Sequence, residues 1–229
     1  MQPTVSTRTS RIAGGAMVLA ALLAGVLAWP ELPATMDVHW SATGEANGTA
    51  PRPVGVLFVP ALAALMLGVF AVLPRIDPLG KNVETFRGYY DGFVLLLVAF
   101  LTGVQALLLA ANLGVDVPIS PLVLVATGAF LGYVGLLLRE AEQNWFVGIR
   151  TPWTLSSEVV WERTHALAAP LFVLAGVAMA VGGILAWLLD APEVVTWVVG
   201  GVVVVAAFLP MAYSYYVYRS LDGPEDSPA

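Results

Sequence analysis

Cysteine is missing from this chain, which excludes disulfides, thiolate zinc sites, iron–sulfur clusters and thiol catalysis. Lysine occurs once, at Lys81, and histidine twice, at His39 and His165. Ten basic residues against sixteen acidic ones leave a net charge of −6, so no basic patch is present to draw nucleic acid, and direct nucleic-acid binding is excluded. Charge of either sign is scarce, at 11% of 229 residues. Neither a G-x-S-x-G elbow nor a P-loop occurs. No cofactor and no metal are expected: His39 and His165 fall on opposite sides of the layout below, and Asp37 and His39 with Glu31 or Glu45 make an exposed loop of scattered acids.

What the chain has in abundance is apolar surface, 59% of its residues with a mean hydropathy of +0.82, and it comes in blocks. Six uncharged runs stand out: Ile12 to Trp29, Val54 to Leu73, Phe93 to Asn112, Ile119 to Leu138, Leu167 to Leu189 and Val194 to Tyr218. Even the first, the shortest, reaches about 27 Å as a helix, enough for a hydrocarbon core of about 30 Å. The runs are continuous rather than alternating, which rules out barrel strands. The expected fold is all-α, a polytopic membrane protein with six transmembrane helices whose first partner is the lipid bilayer itself, at the cell membrane. The first run is longer than the apolar segment of a signal peptide and is expected to be retained. Basic residues set the orientation. Arg8 and Arg11, then Arg75, Lys81 and Arg87, then Arg139, Arg150 and Arg163, and finally Arg219 all fall on one side, with only Arg52 on the other. Both termini are therefore expected in the cytoplasm.

Small residues recur at four-residue spacing, at Ala20, Ala24 and Ala28, at Gly128 and Gly132, and at Gly176 and Ala180, which is either a packing seam or the ordinary consequence of an Ala-rich chain. Pro60 and Pro210 should kink their helices. Gln105, Asn112, Thr102 and Thr127 are read as hydrogen-bonding between helices, and Asp91 as an interfacial carboxylate favoured by a helix start.

Two loops are too long and too patterned to be simple connections. The outer one, from Glu31 to Gly48, holds Asp37, His39 and Trp40 among Pro, Gly and Asn turn residues. The inner one runs from Asn144 to His165. Trp145, Trp153 and Trp161 are spaced by eight and are expected to anchor at headgroup depth. Pro152 constrains Thr151, and Ser156 or Ser157 can cap a new helix carrying Glu158 and Glu162 on one stripe and Trp161 and His165 on another. Arg150 is the expected partner of Glu158, or of a lipid phosphate or partner carboxylate.

The stretch Asn144-Trp145-Phe146-Val147-Gly148-Ile149-Arg150-Thr151-Pro152-Trp153-Thr154-Leu155 and onward through Trp161 to Thr164-His165 resembles the signature of the SdpI family of membrane proteins, without a gap from Gly148 to Leu155. The outer loop, with its proline-rich opening, His39-Trp40 pair and Gly turn, resembles the domain of unknown function that commonly precedes that signature, as does Arg75-Ile76-Asp77-Pro78-Leu79 with Asn82 and Phe86. The resemblance implies a non-enzymatic role: immunity against a secreted peptide toxin outside, and capture of a transcriptional repressor inside. On that basis Asp37, His39 and Trp40 are the expected ligand-sensing residues. Asn144, Trp145, Gly148, Arg150, Thr151, Pro152, Trp153, Glu158, Trp161 and His165 are the expected partner-binding set. Two other readings stay open from the residues alone, a transporter or exporter of an apolar small molecule and a lipid-headgroup enzyme using His165 and Glu162. The implied organisation is an N-terminal segment 1–11, a two-helix unit 12–92 with outer loop 30–53 and inner loop 74–92, a four-helix unit 93–218 with signature loop 139–166, and a tail 219–229. Single Cys substitutions at Thr43 and Thr154 should then label from opposite sides.

Overall fold

The computed structural model describes residues 6–221; the first five residues of the expected N-terminal segment and residues 222–229 of the tail lie outside it. Helix α1 (Thr7–Ala28) leads into a hairpin of β1 (Thr35–Trp40) and β2 (Ala46–Pro51), then α2 (Arg52–Ile76), short α3 (Gly80–Thr85), α4 (Arg87–Asn112) and α5 (Ile119–Glu140). Short α6 (Pro152–Ser156), long α7 (Glu158–Leu188), α8 (Glu193–Val203), a π turn (Val204–Phe208) and α9 (Leu209–Leu221) complete it. Six helical runs, the last being Glu193–Leu221, are long and apolar enough to cross a membrane, with mean hydropathies of 2.0 to 2.7. The all-α, multi-span architecture expected from the six runs is the one found. The π turn ends two residues before Pro210, whose ring has no N–H to give the preceding turn.

The seam between α5 and α7 is the most extensive pairing of elements among the described residues. A methyl group at Gly128 would lie 2.5 Å from the Gly176 carbonyl oxygen, and one at Gly135 would lie 2.7 Å from that of Ala169. At the other end Gly183 would meet the Pro121 carbonyl at 2.7 Å. The two backbones are thus in contact along the whole crossing. Gly128 and Gly135 are seven residues apart, as are Gly176 and Gly183, and a seven-residue repeat keeps one helix face on its partner. The four-residue spacing read from the sequence is real in these two helices. In α1 it is displaced by one position: the buried residues are Ser10, Gly14, Ala21 and Gly25, while Ala20 and Ala24 are exposed.

The outer loop is not a run of turns but a hairpin with a bulge near His39 and a Gly44 turn at φ +89°. Met36, fully buried, roots it among Leu32, Val56, Leu108 and Leu109. Asn112 clamps it to the end of α4: its Oδ1 accepts from the Asp37 N–H at 2.9 Å and its Nδ2 donates to the Asp37 carbonyl at 2.8 Å. Ser120, at the start of α5, donates to the Ser41 carbonyl at 2.9 Å. Gln105, wholly buried, donates to the Gly55 and Val56 carbonyls of α2 at 3.2 and 3.4 Å, so it joins helices as expected. Thr102 and Thr127 bond instead to carbonyls of their own helices.

Asp91 departs from expectation. The helix starts at Arg87, six residues before the apolar run, so Asp91 lies inside it and is only 5% exposed. Its carboxylate takes Arg87 Nε at 3.1 Å and the Thr7 hydroxyl, while its carbonyl takes the Ser10 hydroxyl at 2.9 Å. Asp91 therefore ties α1 to α4.

Two measurements follow. Gly128→Val, which pushes branched carbons into the α7 backbone, is expected to lower stability by about 3 kcal/mol or abolish folding, read as thermal unfolding in detergent. Thr154 is fully buried and would not label as cysteine, so exposed Ser156 replaces it. Thr43→Cys should react with an impermeant thiol reagent on intact cells and Ser156→Cys only after permeabilisation; reaction of both on intact cells overturns the orientation.

Candidate functional site

The signature loop is built on the α5–α7 crossing. Because the glycine seam holds the C-terminal end of α5 against the start of α7, the Trp161 indole reaches across and donates Nε1–H to the Ala141 carbonyl at 2.8 Å. Trp161 packs with Val83, Phe86, Tyr90, Leu137 and Val147 in one buried cluster, so α3, α4, α5, the loop and α7 share a core. His165, one turn along α7, stacks on Trp161 with ring centroids 4.1 Å apart. Both its nitrogens are used. Nδ1–H donates to the Trp161 carbonyl at 2.8 Å, and Nε2 accepts the Ile149 N–H at 3.0 Å, an arrangement that needs the neutral ring.

The residue before Ile149 has to be small. Gly148 sits at φ +122°, and a methyl group there would lie 2.5 Å from His165 Nε2 and 2.9 Å from the Trp161 ring. Asn144 fixes the loop from inside: its Oδ1 accepts from the Phe146 and Val147 N–H groups at 3.0 and 2.7 Å, and its Nδ2 donates to the Glu142 and Val147 carbonyls at 2.9 Å each. Thr151 and Thr154 form a reciprocal cap on α6, with Pro152 at its first position. The Thr151 hydroxyl also meets the Ser214 hydroxyl of α9 at 3.1 Å, and Trp153 packs on Tyr215 with centroids 4.9 Å apart. Ser157, as expected, caps α7.

The expected partner-binding residues thus separate into two groups. Asn144, Gly148, Thr151, Trp161 and His165 are folded into the loop's interior. Trp145, 51% exposed, with Arg150, Pro152 and Glu158 forms its surface, and Trp153 is half-buried. Of the three tryptophans expected as interfacial anchors, Trp161 is instead a core residue. Arg150 does not pair with Glu158; its guanidinium donates to the Trp145 carbonyl at 2.6 Å, five residues back. Glu158 and Glu162 occupy the exposed stripe and Trp161 and His165 the buried one. With both ring nitrogens bonded, His165 has no free nitrogen for the acid–base role that the lipid-enzyme reading requires.

At the other end, Asp37 is held through its backbone by Asn112, the His39 ring donates from Nδ1 to Asn47 Oδ1, and Trp40 lies half-buried against the Met36 cluster. The hairpin and the signature loop lie at opposite ends of α4 and do not meet. Sequence reasoning named Asp77 and Asn82 only as parts of a pattern and gave them no role: the buried Asp77 carboxylate accepts the Leu79 N–H at 2.8 Å and, 68 residues on, the Trp145 N–H at 3.0 Å. Gln143, which it missed, joins Asn82 in relaying the inner loop to Thr154 and Leu155. The Pro78 that follows Asp77 was the available signal, since Asp before Pro favours such a turn.

Residues 140–214 match the model of the SdpI/YfhL protein family, and residues 16–64 match a domain of unknown function, DUF1648. The first match takes in the signature loop and ends at Ser214, the residue bonded to Thr151, so it extends through α8 and into α9, where the sequence reading saw mainly hydropathy. The second takes in most of α1, the hairpin and the first half of α2, and stops short of the Arg75 to Phe86 segment. The chain is 25% identical to the Immunity protein SdpI of Bacillus subtilis (strain 168) over 207 residues, 90% of this chain and 95% of that protein. No solved structure matches. The loop geometry fixes one expectation: Gly148→Ala should lower the thermal unfolding midpoint more than Pro152→Ala, by a difference of about 2–3 kcal/mol, with a changed Trp161 fluorescence that the Pro152 variant does not show.

Proposed function

The chain carries an SdpI/YfhL family domain behind a DUF1648 domain, and from that premise we propose that it is a membrane immunity protein, shielding its own cell from a secreted, membrane-active peptide. The observation that carries this reading is the similarity to an immunity protein along 90% of the chain, spans and both loops included. The hairpin end faces the peptide. A cavity of about 470 Å³ lies beneath it, walled by Leu107, Ile119 and Val123 and roofed by His39, Trp40 and Ser41, a setting for an apolar side chain under a polar lip. The signature end faces the cytoplasm and offers Trp145, Arg150, Pro152 and Glu158 to a transcriptional repressor. Its remaining signature residues act by holding that surface in shape.

This division supports recognition rather than turnover. Most of the motif's polar atoms are spent inside the fold, His165 through both ring nitrogens and Asn144, Thr151 and Thr154 through the loop, while the Glu158 and Glu162 carboxylates lie on the exposed stripe and the buried Thr164 hydroxyl has no partner among the described residues; no nucleophile is paired with a proton-transferring group among them. The test is replacement of SdpI by this chain in Bacillus subtilis and co-culture with the toxin-secreting parent strain. Survival is expected, with Trp40→Ala reducing it. Arg150→Ala, at unchanged membrane abundance, should lose repressor recruitment to the membrane fraction. Killing at full abundance of the wild-type chain overturns the immunity reading, and undiminished recruitment by the Arg150 variant overturns the assignment of the signature surface.

A further inference from the structure

A cavity of about 860 Å³ lies on the flank of the α5–α7 seam at its signature end, and of its lining the proposed function uses Glu158 alone. Its origin is in the sequence. Gly135, Ala166 and Ala169, with Pro170 and Val173, are too small to fill the angle where the two helices meet, so a hollow remains beside the backbone contact. Leu136 and Leu174, both exposed, lie at its lower edge and open it sideways to the bilayer. A hollow of this size falls in the range of sites for small molecules, about 300–1,000 Å³, rather than that of a protein interface.

Its mouth is strongly one-signed. Glu140 and Glu142 stand on one wall and Glu158 and Glu162 on the other, with Arg139 the one cation among the lining residues. Arg139 approaches Glu140 at 3.8 Å, whereas the carboxylates of Glu142, Glu158 and Glu162 have no hydrogen-bond or ion-pair partner among the described residues. Three unneutralised carboxylates over an apolar floor repel the phosphate of an anionic lipid and attract a cation with an apolar body. We infer that this cavity binds small lipophilic cations, with the charge between the two glutamate walls and the apolar part against Gly135, Ala169 and Val173. Occupancy does not depend on the proposed immunity role: it shares Glu158 with the proposed partner surface but needs neither the hairpin end nor Trp145, Arg150 and Pro152.

The experiment uses the full chain in phosphatidylcholine nanodiscs, with radiolabelled tetraphenylphosphonium as the probe and protein-free discs as the reference for partition into lipid. Saturable one-to-one binding above that reference is expected, undisturbed by the neutral analogue triphenylphosphine oxide. The variant Glu142→Gln, Glu158→Gln, Glu162→Gln should bind about tenfold to a hundredfold more weakly. Ala166→Trp, which fills the hollow without changing charge, should lose binding as well, and both variants are checked by their unfolding midpoints. Equal affinity in either folded variant, equal competition by the neutral analogue, or no binding above protein-free discs overturns the proposal. So does glutamate-dependent binding of a basic amphipathic peptide that tetraphenylphosphonium fails to displace, which would assign the mouth to a protein partner.

Discussion

The contact between the backbones of α5 and α7 is the constraint from which the rest of the signature end follows. In lipid, apolar side chains gain little by facing one another instead of acyl tails, so helices associate through close packing and through hydrogen bonds. Glycine at 128, 135, 176 and 183 removes the side chains that would hold the axes apart. The consequence is geometric: the end of α5 at Ala141 comes within reach of the Trp161 indole, and the loop between them has to fold back over a fixed gap. A wider crossing would leave Trp161 Nε1 without its acceptor, and His165 would no longer meet the Ile149 N–H.

Given that gap, the loop's polar residues solve one problem, that of a backbone with no regular structure near the membrane surface. Buried amide groups there cost about 1–3 kcal/mol each if left unpaired. Asn144 supplies four bonds, Thr154 and Thr151 cap a single helical turn, and Asp77 reaches in from the neighbouring loop to take the Trp145 N–H. The residues that look most chemical in the sequence are therefore the ones most fully occupied in structure. What remains for the proposed recognition is the loop's outer skin, which includes Trp145, Arg150 and the glutamate stripe.

Much of this was legible beforehand, and the failures have physical causes. Six spans follow from uninterrupted hydropathy, and a serine cap at Ser156 or Ser157 and the shared stripe of Trp161 and His165 follow from local spacing; that Ser157 is the capping residue and that the two rings stack in the core emerge only in the structure. The hairpin was not legible, because Ala46 to Pro51 has no alternating apolar pattern; its strand pairing is imposed by Met36 and Asn112, contacts made with distant helices. Asp91 was placed at the interface because its helix was started at the first apolar residue, whereas the arginine and tyrosines from Arg87 to Tyr90 already belong to it. Arg150 found a carbonyl within its own loop before any carboxylate on α7, since a tight loop presents backbone oxygen at shorter range than a helix one turn away presents a side chain.

The same reasoning bears on the middle of the bundle. A pathway through a membrane needs polar groups left partly unsatisfied along its length, to be met by the cargo and released. Here Gln105, deep in the bundle, spends its amide nitrogen on the α2 backbone while its Oε1 is left without a partner among the described residues, Thr102 and Thr127 bond within their helices, and ionisable side chains lie toward the ends. Between the two ends the helices are joined by glycine contact and by short polar clamps at Asn112 and Asp91, which resist the rocking that alternating access requires. Under the proposed role, two shaped ends on a closely packed body would do the recognising, and the middle of the bundle would keep those ends apart and in register.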